Sequence, residues 1–318
     1  MMSIRTFISR RRRVRIPAAG FIGVALVSLI VLIAIFAPFL APDDPLKQDL
    51  TGRLLPPGSP GHPLGTDGLG RDLLSRLIYG ARTPVLIGVT AVIIGAVVGG
   101  LLGMISGYFG GWRDRLIMRL ADIQLSLPVI LLALTVIAVR GPQLNDLIVI
   151  LALALWPSTA RVVRSQTLEV RQREFVQAAI TGGASPTFII RQHVLRHIAG
   201  PLIVIATLEL GQTILLAAAL SFLGLGVPPP TPDWGAILSE GRDYLRTAWW
   251  IATFPGIALV LLVVGVNLIG DWLRDHLDPN VERISMDPAV IATQPVTAQT
   301  APIPADLRLP AEPANEHK

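Results

Sequence analysis

The sequence predicts an all-α integral membrane protein with six transmembrane helices. Of its 318 residues, 52% are hydrophobic and 15% are charged, whereas about 25% of the residues in soluble domains are charged. Six apolar runs approach or exceed the roughly 20 residues that a helix needs to cross the hydrocarbon core of a bilayer. Lysine and arginine are concentrated between alternate runs, as in multi-pass membrane proteins. Lipid is therefore the predicted solvent for most of the chain.

The first apolar run, residues 21–40, is predicted to be a retained membrane anchor. A cleaved secretory signal has an apolar core of about 7–15 residues, and this longer run ends without a clear small-x-small cleavage site. The remaining spans are predicted at 85–108, 117–139, 144–163, 202–225 and 250–272. Pro128 and Pro157 fall inside the third and fourth spans, where each is expected to kink a continuous helix.

The distribution of positive charge predicts the orientation of these spans. With the N-terminus inside, 19 of the 27 lysines and arginines lie in inner segments. Because positive residues near span ends are retained in the cytoplasm, both termini are predicted to be cytoplasmic. This distribution also accounts for the net charge of +5 without a nucleic-acid partner. Trp249, Trp250 and Trp272, at the ends of the last span, are expected to be interfacial anchors.

The chain is predicted to have four parts. A basic cytoplasmic tail (1–17) is followed by the first span with its outer loop (18–80) and by a core of five spans (81–278). The last part (279–318) is rich in proline, alanine and threonine. It has too few large apolar residues to offset the entropy cost of ordering, so we expect a disordered cytoplasmic tail.

The composition excludes several kinds of catalytic and cofactor site. Cysteine is absent, so the chain has no disulfide, thiol nucleophile or cysteine-ligated metal. Lys47 and Lys318 are the only lysines and neither follows glycine, which rules out a phosphate-binding loop of the Gly-x-x-x-x-Gly-Lys type. Nucleotide energy would have to come from another chain. His193 and His197 have helical metal-ligand spacing, but no neighbouring carboxylate completes a site, so a solvated face is the preferred interpretation.

Small residues recur at every fourth position of the second span. They are Ala91, Gly95, Gly99, Gly103 and Gly107. In lipid such a ridge lets two helix backbones approach closely. Packing within this chain is the preferred interpretation, and contact with a second membrane subunit is the alternative.

A polar island at residues 161–200 is the most informative segment of the chain. A helix is predicted from Thr167 to Ile180, because this stretch lacks proline and glycine. Its expected apolar face contains Leu168, Phe175 and Ala179.

The residues that follow predict a turn and a second helix. The pair Gly182-Gly183 is typical of a helix end. Ser185-Pro186 is a restart signal, since serine is a preferred N-cap and proline is favoured in the first turn. The second helix is expected to run towards Ile198 and to meet Pro201 at the membrane. Local pattern alone favours a helical hairpin on the bilayer surface.

Several motifs in residues 15–280 resemble those of one family. Gln177-Ala178-Ala179, followed after three residues by Gly183, resembles the EAA motif of ABC importer permeases. Further matching segments are HPLGTD (62–67), GYFGGW (107–112), ALSFLGLG (219–226), PPTPDWG (229–235) and SEGRDY (239–244). The chain is thereby identified as similar to the C-type permease subunit of dipeptide, oligopeptide and nickel importers.

This resemblance implies the six-helix type I ABC importer permease fold and a non-catalytic subunit of the bacterial plasma (inner) membrane. The implied partners are a B-type permease, two cytoplasmic ATPase subunits that bind ATP and Mg, and an external solute-binding protein. No cofactor is expected on this chain. The residues implied in docking the ATPase through a cytoplasmic coupling loop are Glu174, Gln177, Ala178, Ala179, Gly182 and Gly183. Outer segments 41–80 and 226–249 are the expected surfaces for the binding protein.

Two residues depart from the family pattern. Gln177 stands where the motif has its glutamate, which predicts a lost charge contact for which Glu174 could compensate. Arg196 stands where proline is usual, which leaves the local helix geometry open. Within the spans, Glu209 and Asn267 are candidates for the translocation pathway; for Glu209 a structural hydrogen-bonding role is the alternative.

Peptides are the first choice of substrate, and nickel or another small solute is the alternative. A secondary transporter driven by protons or sodium is less favoured, because the spans contain few carboxylates. A channel is the third possibility.

Overall fold

Long apolar helices dominate residues 18–277, the part of the chain that this computed structural model describes. The predicted tails at 1–17 and 279–318 lie outside the described residues. In residues 18–277, β pairing is limited to two isolated bridges. Five helical stretches are long and apolar enough to cross a membrane, and a bent pair of shorter helices makes a sixth if it counts as one span.

The helices are numbered here in chain order. They are α1 (Ala18–Ile35), α2 (Ala37–Leu40), α3 (Leu73–Gly80), α4 (Arg82–Phe109), α5 (Gly111–Ser126), α6 (Val129–Arg140), α7 (Leu144–Gln172), α8 (Glu174–Thr181), α9 (Pro186–Ile189), α10 (Leu195–Phe222), α11 (Trp234–Gly241) and α12 (Trp250–Leu277). A π-helical turn, Ile190–Val194, joins α9 to α10. Five of the six predicted spans are confirmed as α1, α4, α7, α10 and α12.

The third predicted span differs from the expectation of one kinked helix. It consists of α5 and α6, which meet at an angle of 82°. Leu127 is extended (φ −93°, ψ 120°), as is usual for a residue before proline, and Pro128 lacks an N–H to continue the helix. Pro157, by contrast, stays inside α7. The difference is one of packing, because Pro157 is buried whereas residues 125–128 are exposed.

The glycine ridge brings α4 against α7. A Cβ added at Gly99 would lie 2.6 Å from the carbonyl oxygen of Trp156, and one at Gly103 would lie 2.5 Å from that of Ala160. Only glycine fits at these two positions, because the α7 backbone fills the space that a Cβ atom would need. Packing within the chain, the preferred interpretation of the ridge, is confirmed.

Helix α1 packs on α12 through a similar close approach. An added Cβ at Gly23 would lie 2.8 Å from the carbonyl oxygen of Gly265. The expectation that Trp250 is an interfacial anchor is wrong: its ring is buried and its Nε1 donates to the Thr66 carbonyl at 3.1 Å. Trp249 remains half-exposed.

A buried ionic cluster fixes the end of the molecule that holds the long loop before α3. Asp67 is 1% exposed and accepts hydrogen bonds from Arg71 Nε at 2.7 Å and from Arg76 Nη1. Both arginines also reach Glu240 of α11, at 2.8 and 2.6 Å. Two carboxylates and two guanidinium groups therefore form one cluster, although Glu240 is distant from the others in sequence. The cluster holds the loop against α11.

Two helix caps complete this end. Asp72 caps α3 by accepting from Ser75 N, and its other oxygen lies 2.9 Å from His62 Nδ1. Asp233 caps α11 by accepting from Ala236 N at 3.1 Å, and burial raises the pKa of its carboxyl. Trp234 then donates to the Leu77 carbonyl at 2.8 Å. The loop, α3 and α11 thus form one hydrogen-bonded cap over the spans.

We expect Asp67→Asn to lower the stability of the protein by about 3–5 kcal/mol, because it leaves two buried arginines short of negative charge. Asp243→Asn is the matched control. Its carboxylate pairs with Arg242 at 3.4 Å on an exposed surface, so a loss of about 0–1 kcal/mol is expected. The midpoint of thermal unfolding in detergent measures both, and equal shifts for the two variants would contradict the assignment.

Adjacent glycines of α4 provide a test of the close helix contact. Gly99→Ala is expected to destabilise by about 1–3 kcal/mol, since its new methyl group meets the α7 backbone. At Gly100 the nearest atom to an added Cβ is Leu202 Cδ2, at 3.6 Å. Gly100→Ala should therefore be neutral or stabilise the helix by up to about 1 kcal/mol. If both variants shift the midpoint of thermal unfolding in the same direction relative to the wild type, the close contact is refuted.

Candidate coupling surface and transmembrane carboxylate site

The polar island between α7 and α10 forms a bend built from α8 and α9. The predicted continuous helix from Thr167 to Ile180 is wrong, because Arg173 is extended (φ −69°, ψ 144°) between α7 and α8. The carbonyl of Arg173 accepts from the amides of Val176 and Gln177 at 3.0 and 3.1 Å, so the break itself begins the next helix. Neither proline nor glycine marks this position.

The break changes which side of α8 is buried. Val176 is fully buried, whereas Phe175, predicted on the apolar face, is 44% exposed. Val176 belongs to an apolar cluster that anchors α8 on the ends of the neighbouring spans. Its other buried members are Met104, Tyr108, Val163, Val170, Ile189, Val194 and Ile198.

Most of the predicted docking residues lie on the opposite, exposed side of this bend. Glu174, Gln177, Ala178, Gly182 and Gly183 are exposed. Ala179 is partly buried and packs against the apolar cluster. The bend therefore brings together a contiguous set of exposed residues on a buried anchor.

Two side chains on this surface differ in their freedom to meet a partner. Gln177 Nε2 donates to the Arg171 carbonyl at 2.7 Å, so its amide is used within the chain. Glu174 lies in the first turn of α8, where the helix dipole favours a negative charge. In the described part of the chain it has no ion-pair partner. Glu174 is thus the charge of α8 that is available to a partner.

Large apolar side chains are exposed on the same bend. Ile180 is 38% exposed and Phe188 is 53% exposed. The rings of Phe175 and Phe188 both contact the imidazole of His193, with centroids 5.6 and 5.9 Å apart. His193 is therefore in aromatic contact with both helices of the bend.

The glycine turn has the geometry that the sequence predicts. Gly183 has φ +81°, which is readily accessible only to glycine. Its amide donates to the Ile180 carbonyl at 3.0 Å, and Ala184 N donates to Ala179 O at 3.0 Å. Ser185 then caps α9, its Oγ accepting from Phe188 N at 3.3 Å. Both the turn and the restart signal are confirmed.

The second helix of the bend does not end at Pro201. From Pro186 to Phe222 the chain is one 37-residue helical stretch that includes the π turn and passes through Pro201. The helix also continues through the exposed Arg196, where the resemblance had left the geometry open. The bend is therefore continuous with a transmembrane helix.

An ion pair ties the ends of α4, α5 and α7 together beside the bend. Arg164 forms a two-pronged contact with Asp114, with N–O distances of 2.6 and 2.7 Å. Ser106 of α4 donates to the same carboxylate. Sequence reasoning missed this cluster, although a serine and two opposite charges near span ends were a signal for it.

Inside the spans, Glu209 of α10 contacts two hydroxyl groups of α7. Ser158 Oγ lies 2.7 Å from Glu209 Oε1, and Thr159 Oγ1 lies 3.1 Å from Oε2. Sequence reasoning missed both hydroxyl residues, although a polar pair directly after Pro157 in an apolar run was a signal. The α7–α10 contact thus has a polar centre.

Asn267 does not join this centre. A Cβ added at Gly211 would lie 2.5 Å from Asn267 Oδ1, so Asn267 lies beside the Gly211 face of α10. Residues two apart on a helix project about 200° from each other. Glu209 and Asn267 therefore lie on opposite sides of α10.

Comparison with known proteins identifies the family. A family model described as "Binding-protein-dependent transport system inner membrane component" matches residues 99–283. The chain belongs to this family. A second model, described as the N-terminal TM domain of oligopeptide transport permease C, matches residues 12–57.

Similar proteins cover most of the chain. A probable D,D-dipeptide transport system permease of Escherichia coli is 46% identical over 80% of this chain and 85% of its own length. A di/tripeptide transport permease of Pseudomonas aeruginosa is 44% identical over 82% and 88%. A glutathione transport permease of Pectobacterium atrosepticum is 39% identical over 86% and 89%. The chain is thus a transport-system permease.

Solved structures confirm the fold class. An inward-facing crystal form of the MetNI methionine ABC transporter has a chain that matches with a TM-score of 0.52 and 23% identity, covering 63% of this chain and 95% of that one. A second form gives 0.54 and 22%, with coverage of 64% and 97%. The protein has the type I ABC importer permease fold, in which the α5–α6 pair is the bent span.

Proposed function

We propose that this chain is one permease subunit of an ATP-driven importer and forms half of a translocation pathway for di- or oligopeptides. The substrate class is supported by relatives whose names specify dipeptides, di/tripeptides and glutathione. The pathway lies in the bacterial inner membrane, in agreement with the wording of the family description.

The partners follow from the surfaces that the chain exposes. A B-type permease covers part of the exposed surface of the membrane spans and completes the pathway. Two cytoplasmic ATPase subunits carry ATP and Mg, and one of them docks on the bend around α8 and α9. A solute-binding protein delivers the peptide to the opposite end.

An open cavity at that opposite end supports the last assignment. It has a volume of about 710 Å³ and is lined by residues 38 and 41–46, Tyr79 and residues 230–232. Both outer segments expected to meet the binding protein, 41–80 and 226–249, contribute to its walls. Asp44 gives part of the rim negative charge, whereas Asp43 is paired with Lys47 at 3.1 Å.

The orientation completes the proposal. The bend lies at one end of the spans, and the hydrogen-bonded cap of the long loop, α3 and α11 lies at the other. The helices α4, α7 and α10 each run between these two ends. With the arginine-rich segments inside, the bend faces the cytoplasm and both termini are cytoplasmic.

The observation that carries the proposal is the exposed bend held on the buried Val176 anchor. ATP binding closes the ATPase dimer and displaces this bend. Because Val176 packs on residues of α4, α7 and the π turn, α8 cannot shift independently of the spans. The displacement therefore biases a two-state equilibrium between inward- and outward-facing cavities.

We expect Gly183→Pro and Glu174→Arg to uncouple the importer without preventing membrane insertion. Proline fixes φ near −65° and cannot adopt the +81° of Gly183. Arginine reverses the one unpaired charge of α8. In reconstituted complexes, the stimulation of ATPase activity by loaded binding protein should fall at least about tenfold, the equivalent of one lost charged hydrogen bond.

Gly141→Pro is the matched control for the glycine variant. Gly141 also has a positive φ (+77°), donates to a helix-end carbonyl at 2.8 Å and has no atom within 4 Å of an added Cβ, but it lies at the opposite end of the spans. It should keep normal stimulation. Unchanged stimulation in both bend variants would refute the coupling assignment.

A further inference from the structure

The carboxylate of Glu209 has fewer partners than its charge requires. An ionised carboxylate has about four acceptor positions, and the described contacts supply only Ser158 and Thr159. Ser158 Oγ also lies 2.8 Å from the Leu155 carbonyl, and its single proton serves one acceptor at a time. No ion-pair partner of Glu209 occurs among residues 18–277.

This group cannot face lipid. A charged side chain inside a bilayer is costly and is found almost always facing a bundle interior or a water-filled cavity. Ser158 is nevertheless exposed on the surface of the chain, and Glu209 is partly buried. The exposed side of the α7–α10 contact must therefore meet water or a polar partner.

The charges near Glu209 leave an excess of negative charge. Arg161 lies one turn along α7 from Ser158 and pairs with Asp122 at 2.5 Å. Arg161 is thus already neutralised by a carboxylate of α5. Arg161 and Asp122 cancel each other, as do Arg164 and Asp114 further along α7, so the charge of Glu209 stays uncompensated and favours a cation.

The arrangement of acceptors suits an ammonium group. An ammonium ion offers three N–H donors and no acceptor. Glu209 provides free carboxylate positions, and the hydroxyl oxygens of Ser158 and Thr159 lie 2.7 and 3.1 Å from its carboxylate oxygens. A metal ion would require more ligands than one carboxylate, and no group of three candidate ligands occurs in the described chain.

We propose that Glu209, with Ser158 and Thr159, is a binding site in the translocation pathway for the α-ammonium group of the transported peptide. The site makes the permease itself selective for a free amino terminus, in addition to any selection by the binding protein. The identity of the substrate in this inference rests on the proposed function. The exposure of the site to water and its preference for cations do not depend on it.

The absence of cysteine from the chain gives a direct test. Ser158→Cys in the full complex, in nanodiscs, is labelled with cationic and with anionic methanethiosulfonate reagents, both without nucleotide and in an ATP-trapped state. We expect labelling in at least one state, with the cationic reagent favoured by about tenfold or more by the local negative potential. Adding Glu209→Gln should remove that preference.

Ser165→Cys is the matched control. Ser165 is also an exposed serine of α7 whose Oγ bonds to the carbonyl three residues earlier, at 2.9 Å. It lies about 10 Å further along the helix. Its preference for the cationic reagent should be smaller and should not change with Glu209→Gln. The complex with unmodified chain reports labelling of partner cysteines.

The substrate group is tested by protection and by uptake. Dialanine should slow the labelling of Ser158→Cys, whereas N-acetyl-dialanine should not. No labelling in either state, no dependence on Glu209, or equal protection by the two peptides would overturn the ammonium site. Charge-selective labelling of Ser158→Cys, together with a wild-type complex that imports no peptide, would instead overturn the proposed function and leave the cation-selective, water-facing site supported.

Discussion

Close backbone contact between α4 and α7 is the constraint on which the rest of the structure depends. Apolar side chains gain little by leaving lipid for a protein interface, so helices in a bilayer associate through close packing and polar contacts. At the glycines of α4, the α7 backbone occupies the space that a side chain would otherwise fill. This pair then supports α5, α10 and the bend around α8 and α9.

Both candidate sites are attached to α7. Its middle contributes Ser158 and Thr159 to the carboxylate site, and its end contributes Val170 to the apolar cluster around Val176. A change at the bend and a change at the carboxylate site therefore act on the same helix. In the proposed function, one helix therefore joins the surface that docks the ATPase to the carboxylate site in the translocation pathway.

The sequence was most informative where one residue type determines the local structure. The apolar runs located five spans, and Gly183 and Ser185 located the turn and the cap, because φ and capping preferences are local properties. The bend at Pro128 was underestimated, since identical prolines are held or released according to the packing around them. Pro157 is buried and stays helical, whereas Pro128 is exposed and does not.

Features that depend on distant contacts could not be predicted. The break at Arg173 has no local signal and is stabilised by burial of Val176 on other helices. The partnership of Asp67 with Glu240 joins residues more than 160 positions apart through two arginines. Trp250 was assigned to the bilayer interface because tryptophan at the start of a span is typical of that position. The sequence gives no sign that the Thr66 carbonyl, a distant residue, accepts from its indole N–H instead.

The unbroken helix from Pro186 to Phe222 has a mechanical consequence. At about 1.5 Å per residue, this rod is roughly 55 Å long, considerably more than the hydrocarbon thickness of a membrane. A tilt of about 10° around its midpoint would displace its two ends by about 5 Å in opposite directions. A small displacement of the bend would thus appear, reversed in direction, at the other end of this helix.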